Sequence, residues 1–413
     1  MHTGAAHSGA VPVRERSDSS KRRAHGASCS VIHHAVPRLD ISRDRFYVPE
    51  LDALRFVAFV GMAIYHEFVL ERPVASSHGA VLKTALLSVA QLGGAFSVNL
   101  FLLVSSYLIT RLARREIATT GRLDLRAFYI RRTLRIWPLY FFFLGLCATL
   151  RTTDHLFGYA TVLPSGFLAA ASFFVANWYL VFHGYVWLPA LSLWTVSVEE
   201  QFYVTWPLLI RRASRERVRA ISVSFVLVSH LTLLWLQRGG RRDFEIGYNT
   251  FTLIQYFGLG ALMALWSEDH SPALRTAARI GLAAISAVCF AVAALLQPRA
   301  HVIDPGALTY NVIALFSAAG VVCLFRASLG APRAWFPPWL LFLGRITYGL
   351  YIFNFFCVYL ARKSCRGHVS LVYELALTVG LNLAFALAMY YLIERPFLRL
   401  KTRFEIVRSR AGG

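Results

Sequence analysis

The sequence predicts an all-α, polytopic membrane protein: a helical bundle with about ten transmembrane helices and one additional re-entrant or interfacial segment. Three observations predict it. Hydrophobic residues make up 56% of the 413 and charged residues only 16%, with a mean hydropathy of +0.51. That is more apolar surface than a soluble core of this size buries. The apolar residues gather into runs of about 20, the length that crosses roughly 30 Å of hydrocarbon. The basic residues, 43 Lys plus Arg against 22 Asp plus Glu, lie between those runs, as the positive-inside rule requires of cytoplasmic loops. A nucleic-acid partner is excluded, because these arginines interrupt hydrophobic segments too closely to build a basic face.

Residues 1–48 hold Ser, Arg, His and Gly with little periodicity. No apolar stretch there precedes a small-residue cleavage site, so they read as a disordered basic cytoplasmic tail and not a signal peptide. Eleven apolar runs follow, at 51–70, 88–110, 134–150, 166–182, 195–210, 219–236, 251–266, 279–296, 307–325, 339–361 and 371–393. If all eleven crossed, the loop 211-RRASRERVR-219 would face the exterior while the Arg111–Arg135 loop faced the cytoplasm, against the charge rule. The conflict vanishes if the short run 166–182, which contains Asn177, enters and leaves on one side or lies along the interface. Ten crossings remain, in a bacterial plasma or inner membrane, with both termini cytoplasmic. The basic loops at 111–135, 211–219, 275–279 and 326–333 then fall inside, and 238-RGGRR-242 and 361-ARKSCR-366 are exceptions outside. The domain limits are 1–48 for the first tail, 49–397 for the transmembrane domain and 398–413 for a basic cytoplasmic tail. The six cysteines lack short paired spacing and read as core residues, neither a disulfide framework nor a metal site.

The first run, 51-LDALRFVAFVGMAIYHEFVL-70, carries Asp52, Arg55, His66 and Glu67. Each ionisable group near the centre of a membrane helix costs about 2.5–3.5 kcal/mol, which makes it a functional candidate. Arg55 and His66 are eleven residues apart, close to three whole turns, so they share a face about 16 Å apart along the axis. Two readings stay open. His66 is a general base near physiological pH, or Asp52 and Arg55 form an interfacial pair and His66 caps the helix. Arg126, Arg131, Arg132 and Arg135 open the third helix. Arg131 and Arg135, four apart, share a face and suit the phosphates of coenzyme A; holding the loop inside is the plain alternative. Glu199 and Glu200 begin a later run and point about 100° apart, so one faces the bundle interior. The assumed topology puts them level with His66, as its partner or as an acceptor-binding group, while negative charge at a helix start is the plain alternative. Glu394 reads as a structural terminus. Ser105 and Ser106 fit a ligand or a hydrogen bond to their own backbone.

Five segments together resemble one family of membrane acyltransferases, acyltransferase family 3. They are 51-LDALR-55 through His66, 99-NLFLLVSSYLIT-110, 131-RRTLRIWPLYFF-142, 194-WTVSVEEQFYVTWPLL-209 and 390-YYLIERPF-397, in the family's order. The resemblance implies an enzyme that transfers an acyl group, often acetyl from acetyl-CoA, to a hydroxyl of a sugar, surface polysaccharide, lipid-linked glycan or secreted natural product. It implies that His66 is essential, with Arg55 beside it and a functional carboxylate at Glu199 or Glu200. It implies no tightly bound cofactor and no metal, with acyl-CoA as the donor substrate. Two positions depart from the pattern: Ser106 stands where many members have glycine, and Asn354 where many have histidine. A transporter or flippase also fits a ten-helix bundle with buried charge, although the two halves show no symmetry. A sensory or scaffold protein is the third class.

Overall fold

The computed structural model describes residues 47–68, 80–152, 163–184, 188–241, 243–300, 308–365 and 371–405. The expected first tail except residues 47 and 48, Cys29, and residues 406–413 of the second tail lie outside the described residues. The described residues are helical throughout their ordered elements and contain no strand. In chain order the helices are α1 Pro49–Phe68, α2 Ala80–Thr120, α3 Leu125–Thr152, α4 Ser165–Ser172, α5 Ala176–His183, α6 Leu193–Ile210, α7 Arg215–Arg238, α8 Asp243–Gly247 and α9 Thr250–Asp269. They continue with α10 Thr276–Ala300, α11 Thr309–Ser328, α12 Pro338–Cys365, α13 Leu371–Met389 and, after one π-turn at Tyr390–Glu394, α14 Arg395–Lys401.

Eight helices among the described residues are long and apolar enough to cross a membrane. Helices α1 and α6 are also of spanning length, at 20 and 18 residues, but carry Asp52, Arg55 and Glu67, or Glu199 and Glu200. Both also turn apolar side chains outward, Val57 of α1 being 51% exposed and Val204 of α6 53%. Large apolar side chains stand outward: Val372 is 75% exposed, Leu295 70% and Trp235 67%. Such a surface is stable only against lipid, and the chain is a multi-pass membrane protein.

Helix α2 is the hub, packing against α1, α6, α9, α10 and α11. At one end of the bundle, arginines join helix ends to one another. Arg111 donates to Ser267 O at 2.7 Å, Arg114 pairs with Glu268 at 3.2 Å, and Arg215 pairs with Asp269. Arg279 donates to Ala327 O and Gly330 O, both at 2.6 Å, and Gly330 N donates to Glu50 at 2.6 Å. The basic loops after α2, α6, α9 and α11 therefore gather at the end where α1 begins. Two of the exceptional arginines, at the opposite end, are paired with acids: Arg241 with Glu245 at 3.6 Å and Arg362 with Glu374 at 3.0 Å.

The run 166–182 does not cross. It breaks into α4 and α5 at Phe174, whose φ of +57° no ordinary side chain adopts cheaply. Arg151 holds the entry through Leu163 O at 2.8 Å, and Tyr140 holds the turn through Ala171 O at 2.7 Å. Arg151 and Tyr140 are about 16 Å apart along α3, so the hairpin dips toward mid-bundle and returns. Gln201 donates to Asn177 Oδ1 and Phe174 O, each at 2.9 Å, and Asn177 donates to Thr250 Oγ1 at 2.9 Å. That satisfied network fixes irregular backbone at a depth where open backbone is not tolerated. The second tail starts as helix: residues 398–404 continue as α14 and a short turn, and Arg131 donates to Phe404 O at 2.9 Å, tying it to α3.

Candidate active site

One face of α1 carries Arg55, Met62 and His66, at spacings of seven and four residues, which keeps them on a single stripe. Around the start of that stripe, Asp52 is 1% exposed. It accepts from Tyr47 OH at 3.0 Å and from Arg55 at 3.3 Å. Gly344 of α12 lies so close that a Cβ there would overlap the Asp52 carbonyl, so glycine sets how near α12 approaches α1. The interfacial pairing of Asp52 with Arg55 is thus present, but His66 is no surface cap. It is 4% exposed.

His66 Nδ1 lies 2.5 Å from Asn354 Oδ1 on α12, and its ring rests 3.7 Å from the Phe355 centroid. An amide oxygen only accepts, so this contact suits the neutral tautomer with the proton on Nδ1 and the lone pair on Nε2. Asn354, noted in the sequence only as a departure from histidine, is what orients the imidazole. His66 lines a cavity of about 460 Å³ together with residues of α2, α9 and α11.

A second, tighter cavity of about 80 Å³ lies toward the basic end, lined by Arg55, Arg132, Arg135, Arg345 and Glu199. Met62 and Val98 line both cavities and form the partition between them. Arg132 sits 5.7 Å from each of the Phe128 and Tyr203 ring centroids, a cation–π environment without a carboxylate. Among the described residues, no ion pair engages Arg132, Arg135 or Arg345. Four arginines and one glutamate line this cavity, and of the four only Arg55 is held by a carboxylate among the described residues, that of Asp52.

Several expected residues sit elsewhere. Arg131 does not share the cavity with Arg135: it pairs with buried Glu116 at 2.8 Å, and Arg132, three residues before Arg135, takes its place. Arg126 is exposed and outside the lining. Glu199 is not level with His66. It accepts from Ser105 Oγ at 2.7 Å and belongs to the arginine cavity. Glu200 does not turn outward; it is 5% exposed and accepts from Trp137 Nε1 at 3.1 Å, against α3. Neither serine bonds its own backbone, since Ser106 Oγ donates to Phe257 O of α9 at 2.5 Å. Glu394 is a buried residue of the π-turn with Oε1 unpartnered, not a simple terminus.

Arg345 and Gln255 were missed. Both are polar residues inside apolar runs, at 339–361 and 251–266, the same signal that singled out Arg55 and His66.

Residues 48–391 match a family described as an acyltransferase domain. A Staphylococcus aureus (strain COL) protein named "Putative O-acetyltransferase SACOL0978" is 26% identical over 375 residues, 85% of this chain and 57% of that relative. "Putative peptidoglycan O-acetyltransferase YrhL" of Bacillus subtilis (strain 168) is 26% identical over 373 residues, 85% of this chain and 55% of the relative. "O-acetyltransferase OatA" of Staphylococcus aureus (strain NCTC 8325 / PS 47) is 27% identical over 371 residues, 85% and 57%. The chain spans a little over half the length of these relatives. No solved structure matches it.

Proposed function

The chain belongs to the acyltransferase family that its residues 48–391 match, and on that premise we propose that it is an O-acyltransferase that moves an acyl group, acetyl in the simplest case, from acyl-CoA to an acceptor hydroxyl. One observation carries the reading: a single face of α1 presents Arg55 to an arginine-lined cavity and, about three turns on, an oriented His66 to a larger one.

In this reading Arg55, Arg132, Arg135 and Arg345 hold the phosphates of coenzyme A, for which guanidinium forks are suited. Arg131 contributes by fixing α3 against Glu116, and Arg126 lies on the surface nearby. The flexible arm of the donor passes Met62 and Val98 and brings its thioester beside His66. His66 Nε2 takes the proton of the acceptor hydroxyl as the oxygen attacks the thioester carbonyl. The carbon–sulfur bond breaks, and the thiolate takes the proton from the imidazolium, leaving an ester and free coenzyme A. Glu199 balances charge in the donor cavity, and Glu200 braces α6 against α3. The positive-inside rule puts the arginine end and both termini in the cytoplasm of a bacterial cell, where acyl-CoA is, and opens the His66 cavity toward the far side.

The test uses the protein in sealed vesicles with labelled acetyl-CoA outside and a mixed glycan and small-alcohol fraction inside. Labelled ester inside, with stoichiometric coenzyme A released outside, is the expected result. Accumulation of an unmodified substrate without coenzyme A release identifies a transporter and removes the proposal.

A further inference from the structure

Arginines at the far end of the bundle run against the positive-inside rule, and one of them, Arg362, stands beside the residue that follows His66. Helix α1 ends at Phe68, so the carbonyls of its last four residues have no partner within the helix. One of these, Glu67 O, accepts from Arg362 Nη2 of α12 at 2.8 Å. The same guanidinium donates through Nε to Glu374 Oε1 of α13 at 3.0 Å. The Arg362 and Glu374 side chains are each 17% exposed, so the fork is largely shielded and joins the ends of three helices. A cation also suits the negative end of the α1 dipole.

The pinned carbonyl is one residue from the imidazole, and both His66 and Glu67 are 4% exposed. Helix α12 therefore holds the end of α1 at two places. Asn354 and Phe355 hold the His66 ring, and Arg362, eight residues and about 12 Å further along α12, holds the backbone. A ring contact alone leaves the last turn of a helix free to fray, because its carbonyls are satisfied only by groups outside the helix. The tie on the backbone removes that freedom. A reacting group needs such support, since its position must be kept within about 0.5 Å.

We propose that Arg362 is a positioning residue for acyl transfer: by tying the Glu67 carbonyl to α12, it holds the last turn of α1 so that His66 stays against Asn354. This gives an arginine a reason to stand at the far end, where loop charge by itself is disfavoured. The role rests on the acyltransferase reading, which gives His66 a reaction, but the tie itself is measurable without donor or acceptor.

The experiment uses the full chain in lipid nanodiscs and two readouts. One is hydrogen–deuterium exchange in the last turn of α1 with no substrate present; the other is steady-state release of coenzyme A from acetyl-CoA, with the mixed glycan and small-alcohol fraction as acceptor. Arg362→Gln is expected to speed exchange in that turn at least about fivefold and to lower kcat about fivefold, with the KM for acetyl-CoA unchanged. Arg362→Lys keeps a cation and a donor at the helix end and is expected to bring both back to within about twofold of the parent. Glu374→Gln spares the Glu67 carbonyl and is expected to leave both within about twofold. Combined with Asn354→Ala, Arg362→Gln is expected to lower kcat about fivefold in all, well short of the ~25-fold product of independent effects, because both act through His66. Unchanged exchange, a loss of kcat that Glu374→Gln reproduces or that lysine does not relieve, or a fully additive double variant overturns the proposal. Two further results keep the readings separate. Faster exchange with kcat unchanged removes the positioning role alone, whereas no transfer by the parent, with exchange responding as expected, removes the acyltransferase reading alone.

Discussion

The arginine cavity and the His66 cavity share a helix face and two lining residues, Met62 and Val98, yet they are opposites. The first is small and cationic: Arg55 is paired with Asp52 and Glu199 stands in the wall, while Arg132, Arg135 and Arg345 make no ion pair among the described residues. The second is several times larger, uncharged apart from one imidazole, and walled by aromatic rings. On the proposed function, the difference keeps the charged phosphates of the donor apart from the reacting centre within one helical bundle. The guanidiniums cluster toward the end where the basic loops gather, and about three turns of α1 separate Arg55 from His66. On that reading, donor and acceptor meet at one helix while the donor phosphates stay in cationic surroundings.

The sharpest way to break this comparison is His66→Ala. Removing a general base is expected to lower transfer by about 10²- to 10⁴-fold, with unchanged amounts of protein in the membrane and unchanged coenzyme A binding. Full activity in the variant would leave the larger cavity without its reactive group.

Next in size are the arginines. Arg132→Ala and Arg135→Ala are each expected to raise the KM for acyl-CoA about 10- to 100-fold, the worth of a hydrogen bond to a charged group. Arg131→Ala is expected to behave differently, because it strands buried Glu116. A broken buried pair costs about 3–5 kcal/mol of stability, so this variant should show a lower melting temperature and an ordinary KM in whatever folds. If Arg131 and Arg132 exchanged these signatures, the assignment of the cavity wall would be wrong.

Asn354→Ala removes the group that orients His66. About 1 kcal/mol per hydrogen bond predicts a kcat reduced about fivefold with the KM for the donor unchanged; a change confined to KM would count against the positioning role. The smallest effect is expected for Glu199→Gln. As a member of the arginine cavity it should leave kcat within about fivefold of the parent, the scale of ~1 kcal/mol for a partly screened charge, with donor binding unchanged or tighter. A collapse of kcat comparable to His66→Ala would instead join Glu199 to His66 and dissolve the separation between the two cavities.

Much of this was legible in the sequence for a physical reason. Bilayer thickness sets run length, loop arginines set which ends lie together, and an ionisable residue in an apolar run is too costly to be idle. Those rules found spanning runs, set 166–182 apart as a segment that re-enters or lies along the interface, and singled out Arg55, His66, Arg126, Arg131, Arg132, Arg135, Glu199 and Glu200 as candidates. Helical periodicity placed Arg55 and His66 on one face because both belong to one helix, whose geometry is local.

What periodicity could not decide is anything that depends on how two helices register. Arg131 and Arg132 are neighbours with equal claims, and only the position of Glu116 on α2 draws one away from the cavity. Glu199 was assigned the depth of His66 from topology alone, whereas the close packing of α6 on α2 sets it beside Ser105 instead. Asn354 and His66 are 288 residues apart, and the approach of α12 at Gly344 is what brings them together. The single chain therefore determined which residues are costly enough in lipid to need a purpose, since transfer from water is a property of each side chain. Helix packing alone decided which of them meet, because distances between helices are set by side-chain interlock that no one-dimensional pattern records.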